Sequence, residues 1–179
     1  MTLASHPGGR RVAVAILMAT ATTVALAGCA GQDSSGTPAQ RVASWVSAQG
    51  AGSSIGTVGD DLKNVDLALA HHSAPGLIRT ACALLTTDAS AGNSRLPTPD
   101  EQLSLDLSDA YASAYDAGTD CYSGAGGDRA LLDRSATERV QSADNLAAAL
   151  ARIRQLTGQV PSTTTTTLPP GSNIDPFAG

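Results

Sequence analysis

The chain has 179 residues, of which 15% are charged and 3% aromatic, with 11 Lys and Arg set against 16 Asp and Glu for a net charge of −5. Cations this scarce and unclustered argue against a nucleic-acid partner, because phosphate binding needs grouped Lys and Arg. One Trp, one Phe and three Tyr leave a core to be built from Ala, Leu and Val, as closely packed helices allow.

At the N-terminus Arg10 and Arg11 precede an apolar or small run from Val12 to about Leu26, the pattern of an export signal. The run is shorter than the roughly 20 residues a transmembrane helix prefers and is diluted by Thr20, Thr22 and Thr23, so a cleaved signal is expected and not a permanent span. It ends in Leu26-Ala27-Gly28-Cys29, which resembles the lipobox of bacterial lipoproteins. The resemblance covers residues 1–29 and implies that 1–28 are removed and Cys29 is alkylated with diacylglycerol. It also implies a chain held at the extracytoplasmic face of the cell membrane. Two acyl chains anchor stably where one binds marginally, each buried methylene adding about 0.8 kcal/mol. The alternative is an ordinary secretory signal with an incidental cysteine. The Arg10-Arg11 pair fits general or twin-arginine export and does not choose between them. Abundant Ala and Gly with little Lys resembles small actinobacterial lipoproteins of unassigned activity, in composition only. With the signal set aside, nine cations face sixteen acids for a net charge of −7, and about 150 residues remain, enough for one domain.

Residues 29–39 read as a flexible tether, small, polar and broken by proline. The domain is expected over 40–160. A short helix from Gln40 to Gln49 carries Val42, Trp45 and Val46 on one face, and Gly50-Ala51-Gly52 ends it. Ile55, Val58, Leu62, Val65 and Leu69 then alternate steps of three and four, a helical packing seam. Ser73 and Pro75 predict a stop and a new start, serine as N-cap. The next helix is expected from about Ala74 to Thr87 with Ile78, Cys82 and Leu85 inward, and residues 88–98 as a long connection. Thr98-Pro99-Asp100-Glu101 combines a cap, a proline and two acids at a helix start.

The fourth helix has an uninterrupted seam of Leu103, Leu107, Ala110, Ala114, Ala117 and Cys121. After Gly124-Ala125-Gly126-Gly127 a last helix is expected from about Asp128 to Gly158, with Leu132, Ala136, Val140, Ala143, Leu146, Leu150 and Ile153 as its seam and Arg129–Asp133 and Arg134–Glu138 as exposed pairs. No segment alternates with period two. The expected fold is all-α, an up-and-down four-helix bundle with a short additional N-terminal helix. Residues 161–179, with Thr163 through Thr167 and Pro169-Pro170, form a tail too polar to fold, compatible with O-glycosylation or with a plain solvated end.

With Cys29 lipidated, Cys82 and Cys121 remain as an even pair in an oxidising compartment, and a disulfide is the economical reading. Two free thiols or a redox pair would be the alternative, without a C-x-x-C spacing. A tight hairpin of helices three and four would set Cys121 about 22 Å beyond Cys82 at 1.5 Å per residue, unless residues 88–98 climb back along helix three.

Gly52-Ser53-Ser54-Ile55-Gly56 matches G-x-S-x-G by letter, but a nucleophile elbow needs a preceding strand. His71-His72 points its imidazoles about 100° apart and suits a helix C-terminus better than a metal. Asp106, Asp109, Asp116 and Asp120 form an acidic stripe on helix four, a line of charge and not a calcium cage. Tyr111, Tyr115 and Tyr122 flank the seam, and with Trp45 they are the best candidate interaction patch, half-buried packing residues being the plainer account. No catalytic residue, metal or cofactor is assigned. The expected function is a non-enzymatic interaction or scaffold module of the cell envelope, joined to the membrane through Cys29 and meeting an envelope protein. A carrier of a small apolar ligand between the helices is the alternative.

Overall fold

The computed structural model describes residues 35–48 and 50–158. The export signal, the Leu26 to Cys29 stretch and the Thr- and Pro-rich tail lie outside the described residues. These form a helical bundle of five α-helices, with no strand among them: α1 Pro38–Ala48, α2 Ala51–Ala70, α3 Pro75–Asn93, α4 Glu101–Gly124 and α5 Arg129–Thr157. Each helix from α2 onward packs on the next, most extensively α4 on α5, while α1 rests on α5 and α2.

Local chemistry sets the ends. Thr37 and Gln40 form a reciprocal capping box, Gln40 Oε1 accepting from Thr37 N–H at 2.8 Å and Thr37 Oγ1 from Gln40 N–H at 3.3 Å. So α1 begins two residues before the expected Gln40. Gly50 takes a left-handed φ of 63° as the N-cap of α2, and Ala51 and Gly52 already belong to that helix. Ala74, not Ser73, occupies the N-cap of α3, with Pro75 in its first turn. Asp100 caps α4, accepting from Leu103 N–H at 2.9 Å. Asp128 caps α5 through Ala130 and Leu131, and Gly158 closes it at φ 67°.

The seams of α2 and α4 are in the core: Ile55, Val58, Leu62 and Val65, and all six residues from Leu103 to Cys121, are buried. One correction concerns α3. The expected connection over 88–98 is helical through Asn93, because Ala89 and Gly92 continue the inward face of Cys82 and Leu85. Gly92 acts there as a packing residue. The added turns cut the offset between Cys82 and Cys121 from about 22 Å to about 13 Å, and residues 94–100 span the rest. The two cysteines are buried at disulfide distance, Cα to Cα 5.7 Å, inside the usual range for a bridge.

A second correction concerns α5. Its buried face carries Ser135, Ser142, Leu146, Ala149 and Ile153, while Val140 is 62% exposed and Ala143 is also exposed. Ser135 Oγ donates to the Ala117 carbonyl at 2.8 Å and Ser142 Oγ to the Ala110 carbonyl at 2.9 Å. Satisfied in this way, the hydroxyls sit in the core against α4. The apolar stripe from Ala136 to Leu150 is thereby turned away from α4 toward α2.

Candidate functional site

α2 and α5 touch sparingly, and between them runs a groove of about 500 Å³. Ile55, Gly56, Gly59 and Leu62 form one wall; Ala136, Val140, Ala143, Leu146, Ala147 and Leu150 form the other. The middle of the seam that sequence periodicity assigns to the core, from Ala136 to Leu150, lines this groove, while Ile153 is in the core as expected. Asp66 and Arg139 bridge it, Arg139 Nε donating to Asp66 Oδ1 at 2.8 Å, and Arg139 Nη1 also reaches Ser135 Oγ at 2.8 Å. Lys63 and Asp60, 2.9 Å apart, charge the α2 rim. The walls are apolar, with Gly and Ala set between larger aliphatic residues, the rim is polar, and from Ile55 to Asp66 the groove runs for about three helical turns, or about 16 Å.

The expected aromatic patch is divided by the fold. Trp45 is 3% exposed and Tyr111 2% exposed. Trp45 Nε1 donates to the Arg95 carbonyl at 3.4 Å, and the ring of Tyr111 fills the space over Gly92. Burial pushes the Tyr111 phenol up to about 12, with the nearby Arg95 charge acting against it. These two are core residues: Trp45 reaches the Arg95 carbonyl just beyond α3, and the Tyr111 ring lies against Gly92 of α3. Tyr115 and Tyr122 remain exposed at 46% and 49%.

The acidic stripe on α4 is likewise uneven. Asp120 receives a two-pronged bond from Arg134 of α5, Nη2 to Oδ1 at 2.8 Å, and that guanidinium holds its carboxyl below the usual carboxylate range. Arg134 thus serves α4, and not the expected pair with Glu138. Asp106 accepts from Gln102 Nε2 at 2.8 Å; Asp109 and Asp116 are exposed. Glu138, on α5, is raised by burial and then by Asp120 and Asp116. Among the described residues no group of three or more His, Cys, Asp or Glu is arranged to hold a metal ion.

Ser54, the serine of G-x-S-x-G, lies in the first turn of α2 with its hydroxyl turned back to the Gly50 carbonyl at 3.3 Å. His71 and His72 are exposed at the far end of that helix, about 25 Å along its axis. The His71 backbone N–H bonds the Leu67 carbonyl at 3.0 Å, closing the helix. The letters of a triad are present, but not its geometry. No helix of the described residues is long and apolar enough to cross a membrane.

Sequence reasoning found the lining of the groove but read it as core. The signal that separates the two readings is the pair Ser135 and Ser142, spaced seven apart and able to face a neighbouring helix. It also missed Asp61, a carboxyl buried between α2 and α3. Comparison with protein-family models, curated proteins and solved structures gives no match.

Proposed function

We propose that this chain is a membrane-anchored, extracytoplasmic and non-enzymatic interaction module, tethered by lipidated Cys29, whose binding element is the α2/α5 groove. We infer that α2 to α5 form an up-and-down four-helix bundle left open on this side, with α1 as an added helix. The packing of each helix on the next supports that topology.

One observation carries the function: a helical seam with steps of four and three, Ala136, Val140, Ala143, Ala147 and Leu150, lines an open groove along which no further helix of the described residues is laid. Such a seam is what one helix presents to another, and an amphipathic helix laid in a groove buries it. The partner that fits is an amphipathic helix of an envelope protein, its apolar face inward and its charges against Lys63, Asp60, Asp66 and Arg139. Small side chains on both walls allow close approach, and α1 already packs on the same two helices. A second reading rests on the volume, which lies within the roughly 300–1,000 Å³ of small-ligand pockets: the groove could carry an apolar molecule.

Native mass spectrometry of protein gently extracted from its own membrane separates these readings. The expected species carries diacylglycerol and one protein partner, the partner being lost in Val140→Asp. A small apolar ligand bound by the wild type and lost in that variant overturns the partner in favour of the carrier, and a mass without lipid overturns the anchor.

A further inference from the structure

Asp60 and Asp61 are neighbours in α2 with opposite surroundings. Asp60 lies at the groove rim, 2.9 Å from Lys63 Nζ. Asp61 turns into the joint between α2 and α3, is 7% exposed, and has a buried Oδ2 with no hydrogen-bond partner among the described residues. Across the joint it faces another carboxylate, Asp88 of α3; from its own helix it meets Asp60 and the Asn64 amide. Of these groups only Asn64 favours the charged form, and none is a cation.

Two carboxylates in contact do not both ionise readily; one proton between them turns repulsion into a hydrogen bond. We propose that Asp61 and Asp88 share one proton that fastens α2 to α3, making the hold of α2 on the bundle dependent on pH. Burial, then Asp88, raises Asp61 from 3.8 to about 7. A carboxyl raised in the folded state contributes stability that is full below its unfolded value, declines as pH rises, and is gone above its folded value. The window is therefore from 3.8 up to about 7. Because α2 is one wall of the groove, and on the reading of that groove as a docking site, losing the proton loosens the wall a partner binds.

Asp61→Asn keeps the shape and supplies a permanent N–H donor to Asp88. The melting temperature of this variant minus that of wild type is expected to grow steadily from about pH 4 to about pH 8. In wild type alone, α2 amides around Asp61 should lose protection over the same range, after correction for intrinsic exchange. Carbon-13 titration of the wild-type carboxyls decides the matter even if the variant does not fold. One carboxyl of the pair titrating above about pH 6 supports the shared proton; both titrating below about pH 5, or the same pH profile in both proteins, overturns it. These readouts need no partner, so their failure leaves the groove reading standing, and failure of the groove reading leaves them untouched.

Discussion

Gly118 of α4 lies so close to α3 that a Cβ there would stand 2.8 Å from the Cys82 carbonyl oxygen and closer still to Thr86 Oγ1. Backbone cannot swing aside, so Gly118→Ala is expected to destabilise by about 1–3 kcal/mol. Gly59 has nothing within 4 Å of the same position, and Gly59→Ala should stabilise by up to about 1 kcal/mol through helix propensity. Thermal denaturation checks the pair; shifts of the same sign would contradict this packing. Glycine explains part of what the sequence left unread. Gly92 was legible as a chain breaker or as a missing side chain, and only the Tyr111 ring of the facing helix selects the second. Ser135 and Ser142 conceal burial in the same way, because a hydroxyl becomes a core group once a neighbouring carbonyl accepts from it. Asp61 was illegible for the converse reason: an acid beside Asp60 reads as solvated surface until α3 is laid over it.

Whole helices were more readable than their limits. The seams of α2 and α4 stand in the core as periodicity requires, since each contacts a neighbour along most of its length. The α5 seam does so only at Leu146 and Ile153, because its inward face is chosen by α4, whose carbonyls accept from two serines, while α2 leaves the rest of the apolar stripe open. At the start of α4, Asp100 serves two elements. It caps the helix and receives Arg152 of α5, Nη2 to Oδ2 at 2.8 Å and Nε to Oδ1 at 3.0 Å. Arg152 holds its carboxyl below the ordinary value of 3.8. A depressed carboxyl contributes stability above its unfolded value and loses it as pH falls through the folded value. Asp100→Ala is therefore expected to cost about 1–2 kcal/mol near neutrality, the usual range for a lost cap. The deficit should shrink in acid. Urea titrations at neutral and acid pH test this, and a deficit independent of pH would contradict the ion pair.

In the whole molecule, the proposed function joins an anchor, implied by the N-terminal resemblance, to a face that the fold leaves open. On the proposed reading, a tether ending in lipid would confine the domain near the membrane, so that a groove with modest affinity would meet its partner at high local concentration. The buried positions of Trp45 and Tyr111 move the candidate surface away from the aromatic stripe of α4 and onto the α2/α5 side. There, small residues and a charged rim suit a helix. Tyr115, Tyr122 and the exposed acids of α4 remain as solvated positions on another face.

The most direct measurement is in-cell photo-crosslinking from positions 140 and 143, with position 84, an exposed leucine site on α3, as the control. Crosslinks from 140 and 143 are expected to map by peptide mass spectrometry to one amphipathic helix of one envelope protein, on its apolar face, with none from 84. Crosslinks to small apolar molecules alone, or the same products from 84 as from the groove, would contradict the proposed docking.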